Sequence, residues 1–236
     1  MDELIKITSL KKSFGKLEVL KGINCGFNKG TVVSVLGPNA SGKTTLIKSI
    51  LGMVIPDSGE IMFRGKPVTN TFDYKKHIGY MPQIGRYPDN MKIGQLFEMM
   101  KDIRNQRTGL DTSLIKTFGL ESMFDKAMHT LSGGTRQKVS AALACMFNPE
   151  VLILDEPTAG LDSVAAEQLK EKIRMEKDKG KLILITSHIM SEVDEIADEV
   201  IYLFEGRVKF YRSMLDIKIS TGEEKLGKAL TKILIS

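Results

Sequence analysis

The chain has 236 residues, 42% of them hydrophobic and 27% charged, enough for one good core and a smaller attached subdomain. No apolar run approaches the roughly 18 residues of a membrane-spanning helix, and the N-terminus lacks the basic-then-apolar order of a signal peptide, so the sequence predicts a soluble, cytoplasmic chain. The net charge of +5 is spread rather than bunched, and no nucleic-acid partner is expected from it.

Residues 4 to 35 read as short strands: Leu4–Ile7, a turn near Gly15-Lys16, Leu17–Leu20, and the apolar run Thr31–Leu36. Phe14 stands in the first turn, where its ring can either pack or stack. Gly37-Pro38-Asn39-Ala40-Ser41-Gly42-Lys43-Thr44 follows, a G-x-x-x-x-G-K-[ST] loop leading into a helical segment from Thr45 to Leu51. Such a loop curls its backbone so that successive N–H groups point inward at a helix N-terminus. There phosphate oxygens accept their hydrogen bonds and the helix dipole favours negative charge. Lys43 adds a point charge for β- and γ-phosphates. Thr44 offers a hydroxyl to Mg2+, a hard octahedral ion that takes its remaining ligands from water, phosphate and a carboxylate. The stretch predicts nucleotide binding.

Pro56-Asp57-Ser58-Gly59 is turn chemistry before a strand at Glu60–Phe63, and Arg64-Gly65-Lys66 turns again, so a small antiparallel sheet is expected beside the nucleotide. His77–Met81 is a further strand that ends in Pro82-Gln83, and Ile84–Asn90 is a turn-rich hinge. From Ile93 to Phe147 the spacing is helical, with Leu96, Met99, Met100 and Ile103 as an apolar stripe. After Asn148-Pro149 the strand period returns at Val151–Leu154 and alternating βα units follow: a helix over Ser163–Asp178, a strand at Leu182–Ile185, and a capping box at Ser191–Asp194 opening the next helix. Val200–Phe204 and Arg207–Tyr211 close the pattern, and the last twenty or so residues are amphipathic and basic. The cysteines Cys25 and Cys145 read as reduced core thiols, and the thirteen methionines as core filling.

The apolar strand ending in Asp155-Glu156 places two carboxylates at the carboxyl end of a parallel sheet, where open α/β sheets bind ligands. Asp155 is placed to hold Mg2+. Glu156, one residue on, is placed to accept a proton from an attacking water. His188 follows another buried strand and faces the same crevice, unlike His77 and His129. Leu131-Ser132-Gly133-Gly134, followed by a helix from Arg136 to Met146, makes a second anion-binding helix N-terminus. One ATP does not need two cradles in one subunit.

At this point the chain resembles the ATP-binding-cassette (ABC) family over about residues 4 to 211. The resemblance is carried by the Walker A loop from Gly37 to Thr44 with Thr45 behind it, the Q-loop Gln83, the signature Leu131–Gly134, the Walker B strand Leu152–Asp155 with Glu156, the D-loop Ala159–Asp162, and the switch histidine His188. It implies a mixed α/β fold, a P-loop NTPase core with a small antiparallel β subdomain and an inserted α-helical subdomain. The whole chain, 1–236, would be a single ABC ATPase domain: core and β subdomain in 1–83 and 148–211, helical subdomain in 84–147, and a short C-terminal extension in 212–236.

The resemblance further implies an Mg2+-dependent ATPase. Phe14 would stack on adenine, and Gly37, Asn39, Ala40, Ser41, Gly42, Lys43, Thr44 and Thr45 would hold the phosphates. Thr44, Gln83 and Asp155 would serve the metal, and Glu156, His188 and Gln83 would serve catalysis. Ser132, Gly133, Gly134 and Asp162 would meet an ATP bound across a head-to-tail dimer of two copies. The chain departs from common family usage at Phe14 (often Tyr), Ala40 (often Gly) and Thr135 (often Gln).

The implied partner is a separate transmembrane permease, with the ATPase peripheral on the inner face of the membrane. The competing reading is a non-transport ABC ATPase acting on nucleic acid or the ribosome. Lys43 and Asp155 stand too near in sequence for the long coiled-coil arm of chromosome-structure ATPases, and translation-factor members usually carry two cassettes where this chain has one. The single cassette resembles the exporter-type branch. Tyr80–Asn90 is further similar to the NosF-type ATPases, which serve maturation of the copper sites of nitrous oxide reductase.

Overall fold

The apolar runs of the sequence become strands buried on both faces. In the computed structural model, which describes residues 3–69 and 71–235, β3 (Val32–Leu36) and β8 (Leu182–Thr186) are buried at every position and β7 (Val151–Asp155) at all but its last, as expected of parallel strands covered on two sides. With β6 (Ile78–Met81), β9 (Glu199–Phe204) and β10 (Arg207–Ser213) they form one six-stranded sheet in the order β10-β9-β3-β8-β7-β6. All its pairs are parallel except β9 with β10. A second sheet is antiparallel, in the order β2-β1-β4-β5, from β1 (Ile5–Phe14), β2 (Leu17–Phe27), β4 (Ser58–Phe63) and β5 (Lys66–Pro67).

The strands of the antiparallel sheet are longer than local patterning suggests. β1 and β2 run 10 and 11 residues, their alternation interrupted by register shifts after Ile7, Leu10 and Lys12. Each bulge moves the apolar residues to the other face and breaks the period-2 signal that sequence reading relies on. Between the two sheets lies a core built from Ile7, Leu10, Phe27, Val33, Ile47 and Leu203.

α1 (Lys43–Ile50) follows β3. On the other face of the six-stranded sheet, α2 (Ile93–Arg104), α3 (Ser113–Thr117), α4 (Gly133–Met146) and α5 (Ser163–Asp178) enclose a second core. The expected stripe of α2 meets the core through Leu96, Met99 and Met100 and departs from expectation at Ile103. Ile93, Leu96 and Phe97 are buried, whereas Ile103 is 68% exposed; in the last turn of α2 it is Arg104 that turns to the body, lying over the Phe147 ring and donating to the carbonyls of Lys76 and Ile78. α4 begins at Gly133 rather than Arg136, because the Ser132 hydroxyl accepts the Thr135 N–H and caps the helix.

α6 (Met190–Ile196) corrects the expected capping box. The helix starts before Ser191 and its N-cap is Ile189 with no side-chain cap bond, so Ser191 lies inside the first turn and has no N-cap role. The C-terminal residues, uninformative as sequence, form α7 (Met214–Thr221) and α8 (Leu226–Ile235). They pack Ile217, Leu226 and Ala229 onto Val193 of α6 and Val200 of β9, and the Asp194 carboxylate accepts the Leu226 N–H at 2.9 Å.

A buried charge network ties the helical layer to the sheet. The Glu176 side chain is fully buried and pairs with Lys172 at 2.9 Å, Lys179 at 2.6 Å and Lys181. Lys172 pairs in turn with Asp111, just before α3, and Lys181 donates to Asn148 Oδ1 at 2.6 Å. Cys145 is buried and Cys25 half-buried; burial pushes both thiols up to about 12, helped at Cys25 by the Glu3 charge, which keeps both in the neutral form expected of core thiols.

Candidate functional site

The strand order reverses around β3, whose neighbours β8 and β9 lie on opposite sides, and a crevice forms at the carboxyl ends of such strands. The loop leaving β3 enters it. Gly37 takes φ 145, and a Cβ there would stand 2.1 Å from the Leu203 carbonyl oxygen, so no other residue fits. Gly42 takes φ 104 and opens α1 with no side-chain cap, which leaves the first N–H groups of the helix facing the crevice. Ala40 takes φ 62, a left-handed conformation that costs an L-residue about 1 kcal/mol.

Lys43 folds back over this loop and donates to the carbonyls of Gly37 at 2.7 Å and Pro38 at 3.0 Å. Burial holds its ammonium below the usual lysine range, while the Glu156 and Asp155 carboxylates pull the other way. The Ser41 hydroxyl oxygen is buried with no hydrogen-bond partner among the described residues. Inward N–H groups, a lysine on carbonyls and an orphaned hydroxyl are the features a phosphate chain would satisfy, so the residues present fit a nucleotide.

The carboxylates come from the end of β7. Asp155 Oδ1 accepts the Thr186 hydroxyl proton from the neighbouring strand β8. Glu156 takes φ 50, an unusual conformation for a non-glycine residue. Its carboxylate Oε1 lies 3.0 Å from His188 Nε2. One cleft of about 330 Å³ brings together the loop from Asn39 to Thr45, Gln83, Asp155, Glu156, Thr186 and His188. Thr44, Gln83 and Asp155 are oxygen donors, one carboxylate among them. That set suits Mg2+ that shares its remaining positions with phosphate and water.

Other residues singled out in the sequence lie elsewhere. Phe14 ends β1 half exposed, with Lys12 Nζ 5.4 Å from its ring centre, and it is not part of the cleft wall. Ser132 and Gly133 are exposed at the start of α4, also off the cleft. Gly134 is tight against the Gly160 carbonyl, which a Cβ would approach to 2.7 Å. Asp162 caps α5 by accepting the Ala165 N–H at 2.8 Å and pairs with Lys138 of α4 at 2.8 Å. His77 pairs with Glu150 at 2.9 Å and His129 donates to the Asp89 carbonyl.

Two residues that sequence reading passed over reach the site. Thr186 touches both Asp155 and Glu156, and Gln137 of α4, 5% exposed, donates to the Glu156 carbonyl at 3.4 Å. The available signal was a hydroxyl at the buried end of an otherwise aliphatic strand, where a polar group needs a partner.

A phosphate-cradling loop, a strand-end acid pair and a histidine on a mixed α/β scaffold define a P-loop nucleoside triphosphatase of the cassette type. The ABC transporter family model matches residues 20–159. The lantibiotic transport ATP-binding protein SrtF of Streptococcus pyogenes is 33% identical over 209 residues, covering 87% of this chain and 89% of that protein. The Nod factor export ATP-binding protein I of a Rhizobium species (strain N33) is 34% identical over 214 residues, covering 86% and 68%. Among solved structures, an ATP-binding subunit of an ABC transporter superposes with a TM-score of 0.91 at 25% identity over 98% of this chain and 99% of that one. Another, cbiO1 from Clostridium perfringens, part of the ABC transporter complex cbiONQ, gives 0.74 at 29% identity over 97% and 94%. The chain belongs to the ABC transporter family. It is an ABC ATPase, with the family's fold.

Proposed function

We propose that this chain hydrolyses ATP to ADP and phosphate to energise a separate transmembrane permease of the exporter type. The observation that carries the reading is the pairing of Glu156 with His188 at 3.0 Å in the same cleft as Lys43. In the proposed chemistry the loop from Gly37 to Thr45 binds the phosphates, Lys43 exchanging its carbonyl partners for phosphate oxygens. Glu156 accepts the proton of the attacking water, and His188 orients Glu156 and contacts the γ-phosphate. Thr44, Asp155 and Gln83 would hold Mg2+, which when bound neutralises phosphate charge. Phe14 stacks on adenine from the rim.

Ser132, Gly133, Gly134 and Asp162 lie outside this cleft, which supports their serving the ATP of a second copy in a head-to-tail dimer. The division into core, β subdomain, helical subdomain (84–147) and C-terminal extension is proposed with it. A groove of about 320 Å³ lined by Tyr80, Arg86, Tyr87, Met100 and Phe147 supports docking of the permease beside the Q-loop. Tyr87 is tied there to Ser140 of α4 at 2.8 Å. No helix among the described residues is long and apolar enough to cross a membrane, so attachment to the inner face of the membrane would run through the permease.

Transport is supported by the lantibiotic transport relative, and its outward direction by the Nod factor export relatives. A role in copper-site maturation rests on Tyr80–Asn90 alone and draws no support from those relatives, and a nucleic-acid or ribosomal role is not favoured. The test is Glu156→Gln, which keeps shape and hydrogen bonding but removes the base. Turnover should fall by roughly 10²–10⁴ while ATP binding survives and an ATP-bound dimer accumulates on size exclusion. Near-normal hydrolysis would take Glu156 out of the role.

A further inference from the structure

We propose that Thr186 is a positioning residue of the ATPase site: its hydroxyl aims the Asp155 carboxylate and its hydroxyl and carbonyl together pin the backbone of Glu156. The proposal rests on the reading of Asp155 as a metal ligand and Glu156 as the base. Thr186 ends β8, directly opposite Asp155 in the parallel register with β7, and is 4% exposed. Its Oγ1 accepts the Glu156 N–H at 3.1 Å and also contacts Asp155 Oδ1.

The direction of each bond is forced. A peptide N–H can only donate, so the hydroxyl oxygen accepts from Glu156, and the single hydroxyl proton is left for Asp155. One oxygen of the Asp155 carboxylate is thereby held as an acceptor, which fixes the carboxylate plane and leaves the other oxygen available to a cation. The Thr186 carbonyl reaches the same Glu156 N–H at 3.1 Å, and the Glu156 carbonyl accepts the Ala159 N–H at 3.1 Å. These bonds hold Glu156 at φ 50, where an unsupported glutamate would not remain, and in this conformation its carboxylate meets His188. Thr186 therefore couples the two acids, setting one through its side chain and the other through the backbone.

The test compares Thr186→Val with Thr186→Ser in the full chain, because the two variants separate packing from hydrogen bonding. Valine keeps the shape and the methyl group but loses the hydroxyl; serine does the reverse. Mn2+ binding is titrated by electron paramagnetic resonance in the presence of a non-hydrolysable ATP analogue, alongside affinity for the analogue without metal. Thr186→Val should weaken Mn2+ binding about 10–100-fold and leave metal-free affinity for the analogue unchanged, while Thr186→Ser should retain tight Mn2+ binding. Wild-type Mn2+ affinity in Thr186→Val, or a loss in Thr186→Ser equal to that in Thr186→Val, would overturn the proposal. Asp155→Asn, run in parallel, distinguishes the two layers. If it weakens Mn2+ binding and Thr186→Val does not, positioning by Thr186 falls alone. If Thr186→Val weakens binding and Asp155→Asn does not, the ligand role of Asp155 falls, and positioning of the metal through Asp155 falls with it.

Discussion

Because Ser132 lies off the cleft that holds Lys43, each ATP should be completed by a second copy, and mixing two inactive variants should restore activity. Lys43→Ala removes the ammonium from the phosphate loop. Ser132→Arg places a long cation in the signature cradle. The arginine also removes the hydroxyl that accepts the Thr135 N–H at 3.2 Å, a capping loss of about 1 kcal/mol. In a chain of this size that lowers Tm by roughly 2–4 °C, so the variant should remain folded at assay temperature. Each homodimer lacks one half of both sites and should be inactive. In an equal mixture at exchange equilibrium about half the dimers are mixed, and in each of these one site has both halves intact while the other has neither. Independent sites then give roughly a quarter of wild-type activity. If turnover needs both sites, steady-state hydrolysis stays near zero, so nucleotide trapped in a single turnover is measured as well. No recovery by either readout, with subunit exchange confirmed by labelled protomers, would refute the trans site and the dimer built on it.

Two other outcomes follow from the packing. Tyr87→Phe deletes the bond to Ser140 in α4 at a cost of about 1 kcal/mol; it should lower permease-driven transport more than ATP turnover of the isolated subunit, and equal loss of both with permease binding intact would argue against a dock at the Q-loop groove. Acid stability should depend on Asp111: burial raises its carboxyl, but the bonds from Lys172 and Ser113 overcome this and bring it down to about 2 from an ordinary 3.8. The depressed value means that this stabilisation, about 2 kcal/mol, is complete above pH 4 and is lost as pH falls toward 2. Thermal melts across that window should show a shallower acid loss for Asp111→Asn than for the parent, and identical slopes would discount the network.

By itself the sequence determines the parts whose chemistry is local. The loop from Gly37 to Thr44 is legible because only glycine tolerates the backbone at positions 37 and 42, and that requirement is written in the residue type. The helix Ser163–Asp178 and the apolar cores of β3, β7 and β8 are legible because their periods of burial are regular. Tertiary structure decides what depends on partners distant in the chain. Ser191–Asp194 has the spacing of a capping box, yet the Leu226 N–H claims the Asp194 carboxylate and the helix starts earlier. Ile103 fits an apolar stripe, yet it is exposed, and the contacts of that last turn with the body are made by Arg104. Lys172 lies on a polar helix and is nevertheless buried, its ammonium paired with Asp111 from the segment before α3. Thr186 reads as the polar end of a strand, and its contacts with Asp155 and Glu156 exist only because β8 pairs with β7 in one register. Backbone preference travels with each residue, whereas a hydrogen-bond or ion-pair partner is supplied by whichever segment the fold brings alongside.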